Sequence, residues 1–419
     1  MTFKPPASFS WADNAPVRLD HSSVKHDLLR SYIRDYLNIL TNVPKRTDLR
    51  LTLFDGFAGG GTFEDRGSVV AGTPMIMAEE VVRASAEKAA ERSIAFNVDL
   101  WAAEKSRQNY EALEQSFAAS NMAALFPGRI HLRNCHYEVA LREAIERMLA
   151  VRGTSGRSIF LFDQTGFGQV DLEHIRYIFH ALKAPEVILT FSVSWLVDLA
   201  RNDPEFLKKV SRIGINEGAL AEMLEAKEAW SPRYGGQKWI RRYIAEYIGA
   251  EFNTCFFLKC RPSNKDIWLL HFAKQWRARD AMMEVHYRYS NKTHFYGKSG
   301  LEMLGFDPRV DASQMKLFEF TAEDALRSSN SLLEDIPRSL HDKGGVGGIE
   351  LRQLFTRELN DATLTFRMFE QGAVLARDNN LIDIFTKDGR PRRQARWLNR
   401  DDVVKLPAQS TIWHFLGGA

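Results

Sequence analysis

The sequence predicts a mixed α/β protein. A doubly wound, mostly parallel sheet carries helices on both faces, and a second domain of three helices and a hairpin follows it. Three observations predict this. Short apolar runs ending in an acid or amide alternate with helical-period stretches from residue 51 to about residue 193. Apolar strands in such an alternation are buried on both faces, as in a parallel sheet between helix layers. Two adjacent strand patterns then meet at Pro262-Ser263-Asn264, as an antiparallel pair closing the sheet. After residue 322 the order changes to three helical patterns followed by a turn at Lys387-Asp388-Gly389-Arg390.

Taken in order, residues 1–22 form a polar N-terminal arm. Leu28, Leu29, Tyr32, Ile33, Tyr36, Leu37 and Leu40 give the first helix one apolar face. Leu51–Phe54 is the first core strand, followed by a loop to Gly72-Thr73-Pro74 and a helix over 75–90. Strands are expected over 93–102, 129–133, 158–162 and 187–193, with helices over 106–120, 138–152 and 171–182. Residues 199–236 read as a charged helical insertion, 239–248 as an amphipathic helix, and 253–260 with 267–273 as the closing strands. A helix over 278–289 completes a domain of residues 23–290. Residues 291–321 are a linker and 322–419 the second domain, with helices over 322–340, 348–359 and 366–377. Leu381–Phe385 and Arg396–Leu398 would flank its turn, the order of a winged helix-turn-helix.

Composition bounds the class. The chain has 419 residues, 45% hydrophobic and 26% charged, with a net charge of +3. That suits an ordinary globular protein, and the charge is too small to argue for nucleic acid unless it is clustered. Three cysteines without a CxxC pair exclude a disulfide framework or zinc ribbon and fit a reducing, cytoplasmic setting. No signal peptide, membrane-length apolar run, metal-ligand His spacing or nucleotide P-loop is expected.

The chemistry concentrates where strands end. In Asp55-Gly56-Phe57-Ala58-Gly59-Gly60-Gly61 a strand ends in an acid and runs into glycines, which let a backbone lie against a ligand. This resembles the first motif of class I S-adenosylmethionine (SAM) methyltransferases, so the expected architecture is a Rossmann-like class I methyltransferase sheet. Asp55, Gly56, Phe57, Ala58, Gly59 and Gly61 are then candidate cofactor contacts. Glu104, just beyond the second strand, can accept both ribose hydroxyls, and it can equally be an acid favoured at a helix start. Asn134 and Cys135 end the third strand, where an amide can bond adenine or simply make a turn. Asp163, followed by Gln164-Thr165-Gly166-Phe167-Gly168, ends the fourth. An acid there can accept from a target amine, with Phe167 to stack a flipped base. Lys25 and His26 line the cofactor mouth or are solvated. Arg390, Arg392, Arg393, Arg396 and Arg400, with Trp397 among them, give the wing a basic face for a phosphate backbone, or a solvated or protein-docking surface.

With these residues in place, the chain resembles the three-Cys-motif partner protein family. The resemblance rests on Lys25-His26 with Leu29 and Tyr32, Asp55-Gly56-Phe57-Ala58-Gly59 with Gly61, Gly72-Thr73-Pro74, and Asp163 with Gly166. It implies a bacterial methyltransferase-like protein encoded beside a three-cysteine, radical-SAM-type protein, with a link to mobile or phage-related genes. One departure stands out. Relatives carry Asp-Pro-Phe-Gly after the fourth strand, where this chain has Asp163-Gln164-Thr165-Gly166, so a less rigid loop is expected. The first expectation is a SAM-dependent enzyme acting on nucleic acid, with Asp163 and Phe167 catalytic. The alternatives are a degenerate methyltransferase-like binding module and, third, an Mg²⁺-dependent nuclease using Asp163, Asp171 and Glu173.

Overall fold

The computed structural model describes residues 10–11, 15–91, 94–153, 156–229, 232–260, 265–289, 321–342, 347–393 and 396–407. The chain divides into two compact units, Met1–Val285 and His286–Ala419.

The first unit is built on seven strands: β1 (Asp48–Asp55), β2 (Ala95–Ala103), β3 (Gly128–Arg133), β4 (Arg157–Phe162), β5 (Ala184–Phe191), β6 (Phe252–Cys260) and β7 (Lys265–Ala273). Their order is β3-β2-β1-β4-β5-β7-β6, parallel except for β7, which runs antiparallel to both β5 and β6. This is a Rossmann-like, doubly wound sheet, closed by the antiparallel pair that the sequence leads one to expect. Helices α1 (Asp20–Thr41), α2 (Thr73–Glu91), α3 (Arg107–Ala119), α4 (Tyr137–Arg152) and α5 (Leu172–Ala181) connect or cover the strands. Right-handed crossovers place α2 and α3 on one face. They place α4 and α5 on the other, because the chain reverses direction across the sheet after β3.

Chain order reverses between β1 and β4, whose carboxyl ends lie side by side: Asp55 is paired with Leu161. That makes the crevice there the topological switch point. α1 packs against α2 and is tied to the sheet by a buried polar cluster. The Tyr32 hydroxyl donates to Glu186, whose Oε2 lies 3.1 Å from His271 Nε2. Thus anchored, α1 brings Lys25 and His26 of its early turns to the switch point.

Four elements differ from expectation. The loop after β1 contains a hairpin, Thr62–Asp65 with Ser68–Ala71. Its two-residue turn has Arg66 at φ 53° and Gly67 at φ 81°, the primed geometry that suits strand twist. The insertion is helical over Pro204–Val210 and Glu217–Ala229, but the next helix starts early, at Pro232, and includes Gly235-Gly236. A Cβ at Gly235 would sit 1.9 Å from the Ala226 carbonyl oxygen, so glycine here permits helix-on-helix contact rather than a break. Ile349–Glu350 is a short strand ahead of the helix Leu351–Glu358. Lastly, the expected strand over 396–398 is absent: Asp383–Phe385 pairs instead with Val403–Lys405. Arg392 reaches back to Asp402 (3.1 Å), and Leu398 is buried with its N–H donating to Glu370 (2.7 Å), which makes that segment a fixed loop.

In the second unit, helices Ala322–Asp342, Leu351–Glu358 and Phe366–Asp378 enclose Leu332, Ile336, Leu354, Phe355 and Phe369. A three-stranded antiparallel sheet has Val403–Lys405 at its centre, with Ile349–Glu350, from between the first two helices, on one side and Asp383–Phe385 on the other. The long helix opens with Thr321 and Asp324 bonding each other's backbone N–H groups, a reciprocal cap. The expected 291–321 linker lies outside the described residues apart from Thr321.

Candidate active site

The site is assembled from the bottom of the loops upward. β1 ends in Asp55, which is fully buried. Its Oδ1 accepts from Phe57 N (3.0 Å) and its Oδ2 from the Thr73 hydroxyl. Burial pushes this carboxyl up to about 7, against the lowering effect of those two hydrogen bonds. Asp55 therefore shapes the turn from inside. Gly56 N donates to Leu161 O and Ala58 N to Ala103 O, both at 3.0 Å, so the loop is stitched to β4 and β2. Gly59 (φ 60°) and Gly61 (φ 81°) take left-handed conformations, whereas Gly56 does not.

Glu104 follows β2 and turns toward this loop. Its Oε2 accepts from Gly59 N (3.1 Å) and its Oε1 from Ser106 N (2.7 Å). Each carboxylate oxygen has two lone pairs, so one on each remains for a ligand. Asn134 is exposed, and its amide donates to the carbonyls of Glu104 (2.9 Å) and Lys105 (3.4 Å). Cys135 is half-buried beside it, and burial raises its thiol pKa, so it is not a reactive thiolate.

At the β4 corner, Asp163 is paired with Lys25, and the Thr190 hydroxyl donates to its other oxygen at 2.8 Å. The side chains are 20% and 9% exposed, respectively, for Asp163 and Lys25. Burial by itself raises the Asp163 pKa. The Lys25 charge, then the bonds from Lys25 and Thr190, outweigh it and hold the carboxyl below its ordinary range. The stem of Lys25 lines a small apolar recess with Leu28, Leu29, Leu161 and Ile188. His26, alongside, is buried with Nδ1 unpartnered. Burial, then the Lys25 charge, pushes its imidazole down to about 3, so it is neutral at physiological pH.

The loop after Asp163 is pinned, contrary to the expectation drawn from the missing proline. Gln164 is buried, and its Oε1 accepts from Gln169 N (2.9 Å) and Val170 N (3.0 Å). A side-chain amide thus supplies the restraint that a fixed φ would supply. Phe167 leans on Phe191, with ring centroids 6.3 Å apart. Asp171 caps α5 by accepting from Glu173 N (2.9 Å), and Glu173 accepts from the Tyr247 hydroxyl (2.6 Å). Asp163, Asp171 and Glu173 therefore have separate partners. Among the described residues no cluster of three or more His, Cys, Asp or Glu side chains could hold a metal.

Sequence reasoning quoted Thr73 only within a motif, with no partner, and missed Thr190 and Tyr137, whose hydroxyl accepts from Asp171 N and lies 3.0 Å from His174 Nδ1. It also missed Trp11. A Gly-Thr-Pro marks a helix start at Thr73, but not its hydroxyl as the donor to Asp55.

In the second unit the five wing arginines separate. Arg392 is bound to Asp402, and the Arg400 guanidinium lies over Phe366 at 5.5 Å. Arg390, Arg393 and Arg396 are exposed, as is Trp397 at 64%, with Arg367 over its ring at 5.9 Å.

No family model and no curated protein matches the chain. Among solved structures it is similar to a SAM-dependent methyltransferase from Agrobacterium tumefaciens, at 8% identity and TM-score 0.30, covering 61% of this chain and 62% of that one. The chain thus spans less than two thirds of that protein. It is also similar to the N-terminal domain of human METTL16 in complex with SAH (S-adenosylhomocysteine), at 9% identity and TM-score 0.25, covering 58% and 68%. A third is a human methyltransferase 10 domain containing protein, at 9% identity and TM-score 0.26, covering 59% and 82%. The sheet order, rather than these alignments, defines the fold. No described helix is long and apolar enough to cross a membrane.

Proposed function

We propose that the chain is a SAM-dependent methyltransferase acting on nucleic acid. The observation that carries this reading is the meeting of Glu104 and the Gly59 amide beside the switch point of a doubly wound sheet, where ligands of such folds bind. The residues fit an adenosyl nucleoside at Glu104, whose free lone pairs can accept ribose hydroxyls. They do not fit direct contact at Asp55, which is fully buried; its role is to hold Gly56, Phe57, Ala58, Gly59 and Gly61 in shape. Asn134 and Cys135 would flank the adenine. When bound, the cofactor supplies an electrophilic methyl group on a sulfonium. Asp163, kept ionised by Lys25 and Thr190, would orient the acceptor group by accepting a hydrogen bond from its N–H, and fixed placement would be most of the catalysis. Arg390, Arg393 and Arg396, on a unit whose element order supports a winged helix, would contact phosphates. A bacterial, cytoplasmic setting and a three-Cys partner protein complete the reading that the sequence resemblance suggests.

A second reading is favoured by one observation. Asp163 is already bonded on both oxygens and Phe167 leans on Phe191, as in a binding module without transfer activity. Calorimetry with SAM and SAH, followed by methyl transfer to DNA and RNA, tests both. Micromolar binding, on the order of 8 kcal/mol, that is lost in Glu104→Ala supports the cofactor site. Binding without transfer to any nucleic acid supports the module, and no binding at all removes the enzyme reading.

A further inference from the structure

The segment ahead of α1 is sewn to the hairpin that follows the glycine loop. Glu64 N donates to Pro16 O (3.0 Å) and Arg18 N to Glu64 O (2.8 Å). The Arg18 guanidinium also pairs with Asp65. Further upstream, Trp11 is held in place. Its backbone N–H donates to Asn109 Oδ1 (3.2 Å), its indole Nε1 donates to Thr62 O (2.6 Å), and its ring meets Phe63 edge-on at 5.2 Å. The indole lies against Gly59 and Gly60. A Cβ at Gly60 would sit 2.3 Å from the ring and one at Gly59 2.6 Å, closer than any real Cβ contact. Neither position accepts a side chain while the indole is there, so these glycines answer to Trp11 as well as to a ligand.

We propose that Trp11 is a positioning residue: one wall of the cofactor seat, which sets the shape of the glycine loop and hence the affinity for an adenosyl sulfonium nucleoside. This rests on the cofactor reading given above. The bonding pattern separates a wall from a plug. A plug would occupy the polar groups a ligand needs. Trp11 takes the Thr62 carbonyl and the Asn109 amide instead, and leaves the spare lone pairs of Glu104 open. The anchored backbone at Pro16 and Arg18 likewise fits a built-in wall. By covering the glycine carbons, the indole holds Gly59 where its N–H reaches Glu104, and it offers a flat apolar face beside the ribose position.

The test is calorimetric titration of the full chain with SAH, with melting curves recorded without ligand. Trp11→Ala is expected to weaken SAH binding about tenfold. Trp11→Phe, which keeps a ring but loses the Nε1 bond, is expected to recover most of that loss. Arg18→Ala, which loosens the tether, is expected to weaken binding by a smaller factor in the same direction. Binding by Trp11→Ala equal to wild type overturns the proposal, and tighter binding overturns it in favour of a plug. Should Trp11→Ala fail to fold, Arg18→Ala decides, and unchanged affinity there overturns the proposal. A wild-type chain that gives no heat with SAH overturns the cofactor reading and this inference together, whereas wild-type binding with an indifferent Trp11→Ala overturns this inference alone.

Discussion

Asp55 and Asp163 stand at the ends of two neighbouring parallel strands, yet they are opposite kinds of acid. Asp55 is sealed in the fold with only a hydroxyl and an amide for partners, and its carboxyl rises to about 7. Asp163 has Lys25 against it and stays ionised below its ordinary range. The same residue type after the same kind of strand becomes a neutralisable prop in one corner and a permanent charge in the other. What decides is whether a cation reaches it. Here the cation arrives on α1, from far away in sequence.

The comparison can be broken most forcefully at Lys25. Lys25→Met leaves the Asp163 carboxylate without its cation and is expected to cost about 3–5 kcal/mol at pH 7 by urea denaturation. The loss should shrink as pH falls through the ordinary carboxylate range, where the Asp163 carboxyl stripped of its cation takes up a proton; a loss independent of pH would contradict the assignment. His26 comes next. Its folded-state pKa is about 3, against 6.5 for a free imidazole, so the unfolded chain binds the extra proton between those values. Stability should therefore fall as pH drops from about 6.5 toward 3, and His26→Gln should flatten that limb, read as midpoint against pH.

Asp55 slopes the other way. The folded state binds the extra proton between about 4 and 7, so its contribution declines as pH rises through that window, at most on the order of 1.4 kcal/mol per pH unit. Asp55→Asn should remove this slope. The smallest effect is expected at Gln164. Gln164→Ala removes the acceptor for two backbone N–H groups, a cost of about 1–2 kcal/mol. Hydrogen exchange should quicken at the Gln169 and Val170 amides and leave the glycine loop untouched.

Much of this was legible in the sequence, for a physical reason. An apolar run that stops at an acid marks a buried strand leaving the core, so Asp55, Glu104 and Asp163 could be placed on one edge of one sheet before any coordinates. The alternation of strand and helix carried the fold in the same way. Partners were not legible. Nothing local marks Thr190 as the donor to Asp163, or Thr73 as the donor to Asp55, because those contacts are made by register and crossover rather than by spacing. Trp11 sits in a polar stretch with no periodicity, and only the folded chain puts its indole on Gly59 and Gly60. The wing misled for a related reason. The Asp-Gly turn at 388–389 forms, with Thr386 N bonded to Arg390 O and Arg392 N to Ile384 O, both at 2.7 Å, but the return stops after one bridge at Pro391 and the paired strand lies further on, at Val403. A good turn fixes its own geometry and not the register of everything after it.

The central claim is that the corner after β1 and β2 seats an adenosyl nucleoside. A crystal structure of the full chain grown with S-adenosylhomocysteine tests it most directly. Density for the ligand with its ribose hydroxyls on Glu104 and its body along Gly59–Gly61 is the predicted result. Crystals from saturating ligand with that corner bare, or with the ligand bound elsewhere, would contradict it.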